Sequence, residues 1–190
     1  MVELNSWVCI LFLVLSLSTA GVCQVVWLRT GLSKKFTQRL DFGLRFRGRP
    51  LFGENKTLRG FMVMVPASGL SFLAWSKALS GLDGLWSLSP LSFVAFGCLA
   101  GFGFMAGELP NSFLKRQLDI APGEAPTQTW LRRFCLLLDR TDSLLGSLLV
   151  MSFYVPVSWT VWLGCLVVGP GIHGIFSFAL YRVGVKRRAA

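Results

Sequence analysis

The sequence predicts an all-α, polytopic membrane protein with five transmembrane helices. Two observations lead to this fold class. Of the 190 residues, 53% are hydrophobic, which is too many for an ordinary soluble domain. Apolar stretches with almost no charge recur along the chain, and a helix of roughly 20 such residues crosses a bilayer.

The first three spans follow directly from the apolar stretches. Residues 8–28 form the first, and their N-terminal flank holds Glu3 but no Lys or Arg. A signal peptide would begin with positive charge and have a shorter apolar core, so we expect a retained transmembrane helix. Residues 60–79, interrupted by Pro66, are the second span, and residues 91–106 are the third.

The last two spans come from one long stretch. Residues 143–181 include no Asp, Glu, Lys or Arg over 39 positions. This length exceeds one crossing and suits two crossings of about 20 residues each. Pro156 and Ser158 mark the expected turn between them.

The positions of the basic residues predict the orientation. All but one of the 19 Lys and Arg lie in residues 29–59, residues 107–140 and the tail 182–190, and only Lys77 lies elsewhere. The positive-inside rule places these stretches in the cytoplasm. We therefore expect both long loops, which also carry the candidate site residues considered below, to be cytoplasmic. The C-terminus would likewise be cytoplasmic and the N-terminus outside, in the cell inner (cytoplasmic) membrane.

The same distribution limits the partners. Because the basic residues alternate with apolar spans, anionic lipid and phosphate ligands explain the net charge of +10 better than nucleic acid does. No internal repeat and no second domain are indicated, so residues 1–190 are expected to form a single domain.

Two carboxylates, Asp139 and Asp142, lie just before the fourth span. Their i, i+3 spacing places both on one helix face, where they repel unless a cation lies between them. Oxygen ligands of this kind suit Mg²⁺, which uses one or two carboxylates together with substrate phosphates. The alternative is helix capping with an ion pair to Arg140 or Arg133.

A second polar group lies in the segment GELPNSFLKRQLDIAPG, residues 107–123. We expect a helix that begins at Pro110 and ends at Pro122 and Gly123. One face would carry a hydroxyl, two cations and a carboxylate, from Ser112, Lys115, Arg116 and Asp119. These cations suit polyphosphate, and the alternative is a solvated or lipid-facing basic surface.

Glu108, at the end of the third span, is a third carboxylate that could reach the same metal ion. The alternative is interfacial anchoring.

The segment RPLFGENKTLRGF, residues 49–61, suits binding of a nucleotide or phosphate close to a helix start. Its spacing is not that of a P-loop, and a positive-inside flank remains the alternative. Its candidate ligands are Asn55, Lys56, Thr57 and Arg59.

Three segments together resemble a known family: LDFGLRFRGRPLFGENKTLRGF, GELPNSFLKRQLDIAPG and LLLDRTDSLLGS. From residue 41 onward the chain resembles the CDP-archaeol synthase branch of the CDP-diacylglycerol synthase family. That family pairs Ser-x-x-Lys-Arg with Pro-Gly and a later Asp-x-x-Asp, here Ser112, Lys115, Arg116, Pro122, Gly123, Asp139 and Asp142. One departure is Gly107-Glu108, where the family usually has Gly-Asp.

The resemblance implies a CTP-dependent cytidylyltransferase that converts a lipid phosphomonoester to CDP-lipid and pyrophosphate. The lipid would be an archaeol-type diether phosphate or phosphatidate. Asp139 and Asp142, with Glu108, would hold Mg²⁺, while Lys115 and Arg116 would bind phosphates and stabilise the departing pyrophosphate. The nucleotide and its phosphates would be held by Asn55, Lys56, Thr57, Arg59, Ser112 and Asp119.

Two other functions are compatible with parts of the sequence. A non-catalytic small transporter or lipid-binding protein explains the spans and the basic face, but a transporter should carry polar residues at mid-membrane. A CDP-alcohol phosphotransferase would need a longer Asp-rich run on one helix, and this sequence has none.

Overall fold

The described part of the chain folds into a bundle of five long α-helices. A computed structural model describes residues 4–124, 126–182 and 184. A 3₁₀ turn and a two-stranded antiparallel hairpin lie between the first two helices. The elements are α1 (Ser6–Arg29), the 3₁₀ turn (Leu32–Phe36), β1 (Arg45–Phe46), β2 (Arg49–Pro50), α2 (Leu58–Ala78), α3 (Pro90–Gln117), α4 (Thr129–Ser152) and α5 (Trp159–Arg182).

Four helices in the described part of the chain are long and apolar enough to cross a membrane: α1, α2, α3 and the Trp159–Phe178 part of α5. The prediction of a multi-pass, helical membrane protein is therefore confirmed. Helix α4 does not reach the same apolarity, because Arg132, Arg133, Asp139 and Arg140 lie in its first half. A crossing by α4, and with it the count of five spans, stays a prediction.

Successive helices pack against each other, and α5 also contacts α1, so the bundle closes on itself. An aromatic core fills the end at which α1 begins. There Phe12 and Phe72 meet edge to face, with ring centroids 5.0 Å apart, and Phe96 meets Phe72 at 5.2 Å. Trp86 Nε1 donates to the Pro156 carbonyl at 2.9 Å and ties two of the connections together. This end is therefore a fixed base for the helices.

Helices α3 and α4 run antiparallel and touch through glycines. A Cβ on Gly107 would lie 2.4 Å from the Asp142 carbonyl oxygen, and a Cβ on Gly146 would lie 2.3 Å from the Gly103 oxygen. Small residues of this kind let helix backbones approach closely within membranes. This approach brings the residues after Gly107 beside Asp142.

Both expected ends of the helix from Pro110 to Pro122 and Gly123 are wrong, because the helix begins before Pro110 and ends at Gln117. Helix α3 does not begin at Pro110 but runs through it to Gln117. Close packing on α4 at Gly107 holds the helix where a proline would otherwise favour a break. Asp119 lies beyond the helix with φ +58°, so it does not share a helical face with Ser112.

Helix α4 begins earlier than the sequence indicated. Its N-cap is Gln128, so Asp139 and Asp142 lie in the middle of the helix and the capping alternative is wrong. The i, i+3 spacing on one helix is confirmed. The turn at Pro156 and Ser158 is also confirmed, because α4 ends at Ser152 and α5 begins at Trp159. Most of the basic tail, residues 183 and 185–190, lies outside the described residues.

Candidate active site

One amide group joins the two aspartates of α4. Asn111 Nδ2 on α3 donates to Asp139 Oδ1 at 2.7 Å and to Asp142 Oδ2 at 2.7 Å. Lys115, one turn further along α3, forms an ion pair with Asp139. The shared donor holds the two carboxylates close together and partly offsets their repulsion.

The ion-pair partner differs from the one the sequence suggested. Asp139 pairs with Lys115 of the neighbouring helix rather than with Arg133 or Arg140 of its own. Arg133 is exposed, and the Arg140 guanidinium lies near Gly174 on α5. The pairing thus depends on how α3 and α4 pack, which spacing within α4 could not predict.

Glu108 joins the same group of polar side chains. Ser143 Oγ lies 2.8 Å from Glu108 Oε1 and 3.3 Å from Asp142 Oδ1. Lys56, from the loop before α2, forms an ion pair with the other oxygen of Glu108. Three carboxylates from α3 and α4 are therefore linked by two small polar side chains, and two of the three, Glu108 and Asp139, form ion pairs with lysines.

Two of the three carboxylates are suited to bind a metal ion together. Among the described residues, no three His, Cys, Asp or Glu side chains are placed to hold a metal ion together. Asp139 and Asp142, which share the Asn111 donor, suit Mg²⁺ bound by two carboxylates and substrate phosphates. A direct role for Glu108 as a third ligand stays a prediction.

Arg116 is buried without a full set of partners. Its side chain is 8% exposed, and Nε and Nη1 have no hydrogen-bond partner within the described residues. A Cβ on Gly53 would lie 3.5 Å from Nε, so the loop before α2 covers this guanidinium. A buried guanidinium stays charged and is costly without an anion beside it. The arrangement therefore favours phosphate binding at Arg116.

The remaining predicted ligands are spread around this group. Asn55 is exposed in the turn before α2, and Arg59 is half-buried in the first helical turn. Thr57 is buried at the N-cap position of α2, where its side chain makes no capping hydrogen bond. Ser112 is buried on α3, whereas Asp119 is exposed and paired with Arg49. Of the loop residues, Lys56 is the one in direct contact with the carboxylates.

Two residues of this group were missed by sequence reasoning, Asn111 and Ser143. Each carried a signal that could have found it. Asn111 lies four positions before Lys115, on the same helix face, and Ser143 directly follows Asp142. Their hydrogen bonds connect α3 to α4, so only the packed helices reveal what they bind.

Comparisons with known proteins identify the family of this chain. A family model described as CarS-like, CDP-archaeol synthase matches residues 8–189. The CDP-archaeol synthase of Archaeoglobus fulgidus is 32% identical over 156 residues, covering 77% of this chain and 81% of that protein. The CDP-archaeol synthase of Thermofilum pendens is 28% identical over 178 residues, covering 91% of this chain and 76% of that protein.

A solved structure shares the fold. It was described as giving structural insight into an intramembrane enzyme for archaeal membrane lipids biosynthesis. It aligns with a TM-score of 0.65 and 22% identity, over 90% of this chain and 93% of that one. At this identity the likeness concerns the fold alone, while the family match spans nearly the whole sequence. The chain therefore belongs to the CarS-like, CDP-archaeol synthase family of membrane nucleotidyltransferases.

Proposed function

We propose that this protein transfers the cytidylyl group of CTP to a lipid phosphomonoester and releases pyrophosphate. Family membership supports the reaction type. The structural observation that carries the proposal is the buried Arg116 guanidinium, whose Nε and Nη1 have no hydrogen-bond partner within the described residues. It lies one residue from Lys115, which pairs with Asp139. Cations for phosphate and oxygen ligands for a metal ion thus meet at one end of α3. The names of the relatives favour an archaeol-type diether phosphate as substrate, and phosphatidate is the second candidate.

The reaction needs alignment more than proton transfer. An oxygen of the lipid phosphate attacks the α-phosphorus of CTP, and the bond from that phosphorus to the α–β bridging oxygen breaks. The electron pair leaves with pyrophosphate. A phosphate monoester is largely dianionic at neutral pH, because its second pKa is about 6. It can therefore attack without a general base, and the protein must position the reactants and neutralise charge.

The residues divide these tasks between them. Asp139 and Asp142 would hold Mg²⁺, with Glu108 as a third carboxylate nearby, and the ion would supply charge neutralisation to the phosphates. Asn111 keeps the aspartates together. Arg116 and Lys115 would bind phosphates and stabilise the leaving pyrophosphate.

The nucleotide would lie against the loop before α2. Lys56 approaches the carboxylates there, and its ion pair with Glu108 fixes the loop on α3. We assign the other nucleotide and phosphate contacts to residues around that loop and the end of α3, namely Asn55, Thr57, Arg59, Ser112 and Asp119. Asp119 lies in the turn after α3.

We also infer five membrane crossings in one domain of residues 1–190, with the site at the cytoplasmic face and the C-terminus in the cytoplasm. The support is the course of α4 along α3. Gly107 meets Asp142 at one end, and Phe96 stacks on Tyr154 with centroids 5.9 Å apart toward the other. Helix α4 thus follows α3 through the bundle. The positive-inside rule then selects the cell inner membrane orientation with the N-terminus outside.

The experiment is synthesis by the purified protein in detergent or liposomes. CTP and Mg²⁺ are supplied with archaeol-type diether phosphate, with phosphatidate, or with the matching lipids that lack phosphate. We expect CDP-lipid and an equal amount of pyrophosphate from at least one lipid phosphate and none from the controls. A well-folded protein that makes no CDP-lipid from any of them would favour a non-catalytic transporter or lipid-binding role.

A further inference from the structure

Asp41 is a buried carboxylate that belongs to none of the groups described above. Its side chain is 2% exposed. Oδ1 accepts a hydrogen bond from the Gly43 backbone N–H at 3.0 Å, and Oδ2 accepts from those of Phe52 and Gly53 at 3.2 Å each. Burying a carboxylate is costly unless such bonds replace water. Among the described residues, the hydrogen bonds of this carboxylate all come from the backbone of one loop.

These bonds close the loop between α1 and α2. Within this loop they join Gly43 to Phe52 and Gly53, with the hairpin of β1 and β2 between them. The hairpin residue Arg49 in turn donates to the Gln117 carbonyl and pairs with Asp119 at the end of α3. The closed loop is thus docked on the helix that carries Lys115 and Arg116.

The loop contacts Arg116 at Gly53. Gly53 has φ +91°, and a Cβ there would lie 3.2 Å from Pro122 Cγ and 3.4 Å from Arg116 Cδ. The Lys56 N–H donates to the Gly53 carbonyl at 3.2 Å, which sets the turn from which Lys56 reaches Glu108. Asp41 fixes the position of Gly53. The position of Gly53 therefore determines the distance and orientation of Lys56 relative to Arg116.

We propose that Asp41 is a positioning residue for the nucleotide: it holds the turn from Gly53 to Lys56 so that Lys56 and Arg116 face the triphosphate in a fixed arrangement. This inference rests on the proposed function. Because Asp41 already orders the loop, CTP binding does not lose the entropy of ordering it, and CTP binds more tightly. Because Asp41 bonds to the loop and not to the helices, its loss should weaken CTP binding more than lipid binding.

The test compares Asp41→Asn with wild type. Asparagine has one acceptor oxygen and places an NH₂ group where the second oxygen accepted, so at least one of the backbone bonds is lost. Asp83→Asn is the matched control, because Asp83 is exposed in the turn between α2 and α3 at the opposite end of the bundle. The measurements are kcat, the KM for CTP, the KM for lipid phosphate, and CTP binding by calorimetry without lipid.

We expect Asp41→Asn to raise the KM and the Kd for CTP by about tenfold, the scale of a lost hydrogen bond to a charged group. The lipid KM should stay within about twofold of wild type, as should all constants of Asp83→Asn. In an Arg116→Gln background the same Asp41 change should add little to the CTP KM, since residues that act through one contact are not additive.

A CTP KM that Asp41→Asn leaves unchanged overturns the inference. Equal increases in the CTP and lipid KM values would also overturn it, because they indicate general loss of structure. If Asp41→Asn does not fold, Gly53→Ala perturbs the same turn at its positive φ and must give the same selective rise. A wild-type protein that makes no CDP-lipid contradicts the proposed function itself. Synthesis by wild type with an unaltered CTP KM in the variants contradicts only the role of Asp41.

Discussion

A methyl group on Gly146 would lie 2.6 Å from the α-carbon of Gly107. The backbones of α3 and α4 therefore touch, and they do so one helical turn from Asp142. The same contact places Glu108 within hydrogen-bonding distance of Ser143. The arrangement of the three carboxylates of Glu108, Asp139 and Asp142 thus depends on two glycines, Gly107 and Gly146.

Gly146→Ala should separate the two helices. We expect the free energy of unfolding to fall by about 1–3 kcal/mol, the usual cost of overpacking. We also expect the folded variant to make CDP-lipid more slowly than wild type. Thermal unfolding and turnover in the same detergent measure both effects. Gly171→Ala on α5 is the control, because a Cβ there meets nothing within 4 Å. Equal behaviour of the two variants would contradict the role of the close contact.

Asp142→Asn should fold and insert normally but lose turnover by roughly 100-fold or more, because a neutral amide is a poor ligand for Mg²⁺. Asn111 can still donate to the new side-chain oxygen, so the contact between α3 and α4 is kept, while the bond from the Ser143 N–H is lost. The rate should recover little when the Mg²⁺ concentration is raised. Adding Asp139→Asn should reduce activity hardly any further, since residues that act as a unit are not additive. Near-normal synthesis by a folded Asp142→Asn variant would end the metal assignment.

The Lys56–Glu108 pair should show coupling. Both side chains are largely buried, at 20% and 23% exposure. Lys56→Met or Glu108→Gln alone leaves a buried group without its partner, which should cost about 1–3 kcal/mol of unfolding free energy. The double variant should lose less than the sum of the two single losses. Chemical unfolding of wild type, the two single variants and the double variant measures this coupling. Strictly additive losses would mean that the interaction of Lys56 with Glu108 contributes nothing to the free energy of unfolding.

Asp41 should make stability depend on acid pH. Burial by itself would raise the pKa of Asp41, but the backbone N–H groups of Gly43, Phe52 and Gly53 and the charge of Arg39 lower the pKa below its usual value. A lowered folded-state pKa stabilises the protein above the unfolded value of about 3.9, and this contribution is lost as the pH falls through the folded value. The melting temperature of wild type minus that of Asp41→Asn should be constant above about pH 5 and shrink below about pH 4. A difference that does not vary with pH would contradict this assignment.

Single cysteines should report the topology. In a chain whose five native cysteines are replaced, Thr37→Cys and Ser87→Cys place exposed thiols at opposite ends of the bundle. Ser33 would be a poor site, because its side chain is fully buried. A membrane-impermeant thiol reagent should label position 87 from outside intact cells and position 37 only after the cells are opened. Labelling of both positions from outside would contradict the proposed orientation.

The family and most of the helices could be read from the sequence, because both depend on local patterns. Apolar stretches long enough to cross a bilayer lie on α1, α2, α3 and α5. The i, i+3 spacing of Asp139 and Asp142 required only that they lie on a helix. The Ser-x-x-Lys-Arg and Asp-x-x-Asp motifs that suggested the family are equally local.

The contacts between these motifs were decided by the tertiary structure. Helix α3 continues through Pro110 because packing on α4 outweighs the local tendency to break. Lys115 reaches Asp139, and Asn111 bridges the aspartates, across a helix interface that spacing within one helix does not specify. The physical reason is the approach of Gly107 to Gly146. Sequence periodicity sets the face on which a side chain lies, whereas the distance between two backbones sets which polar groups meet.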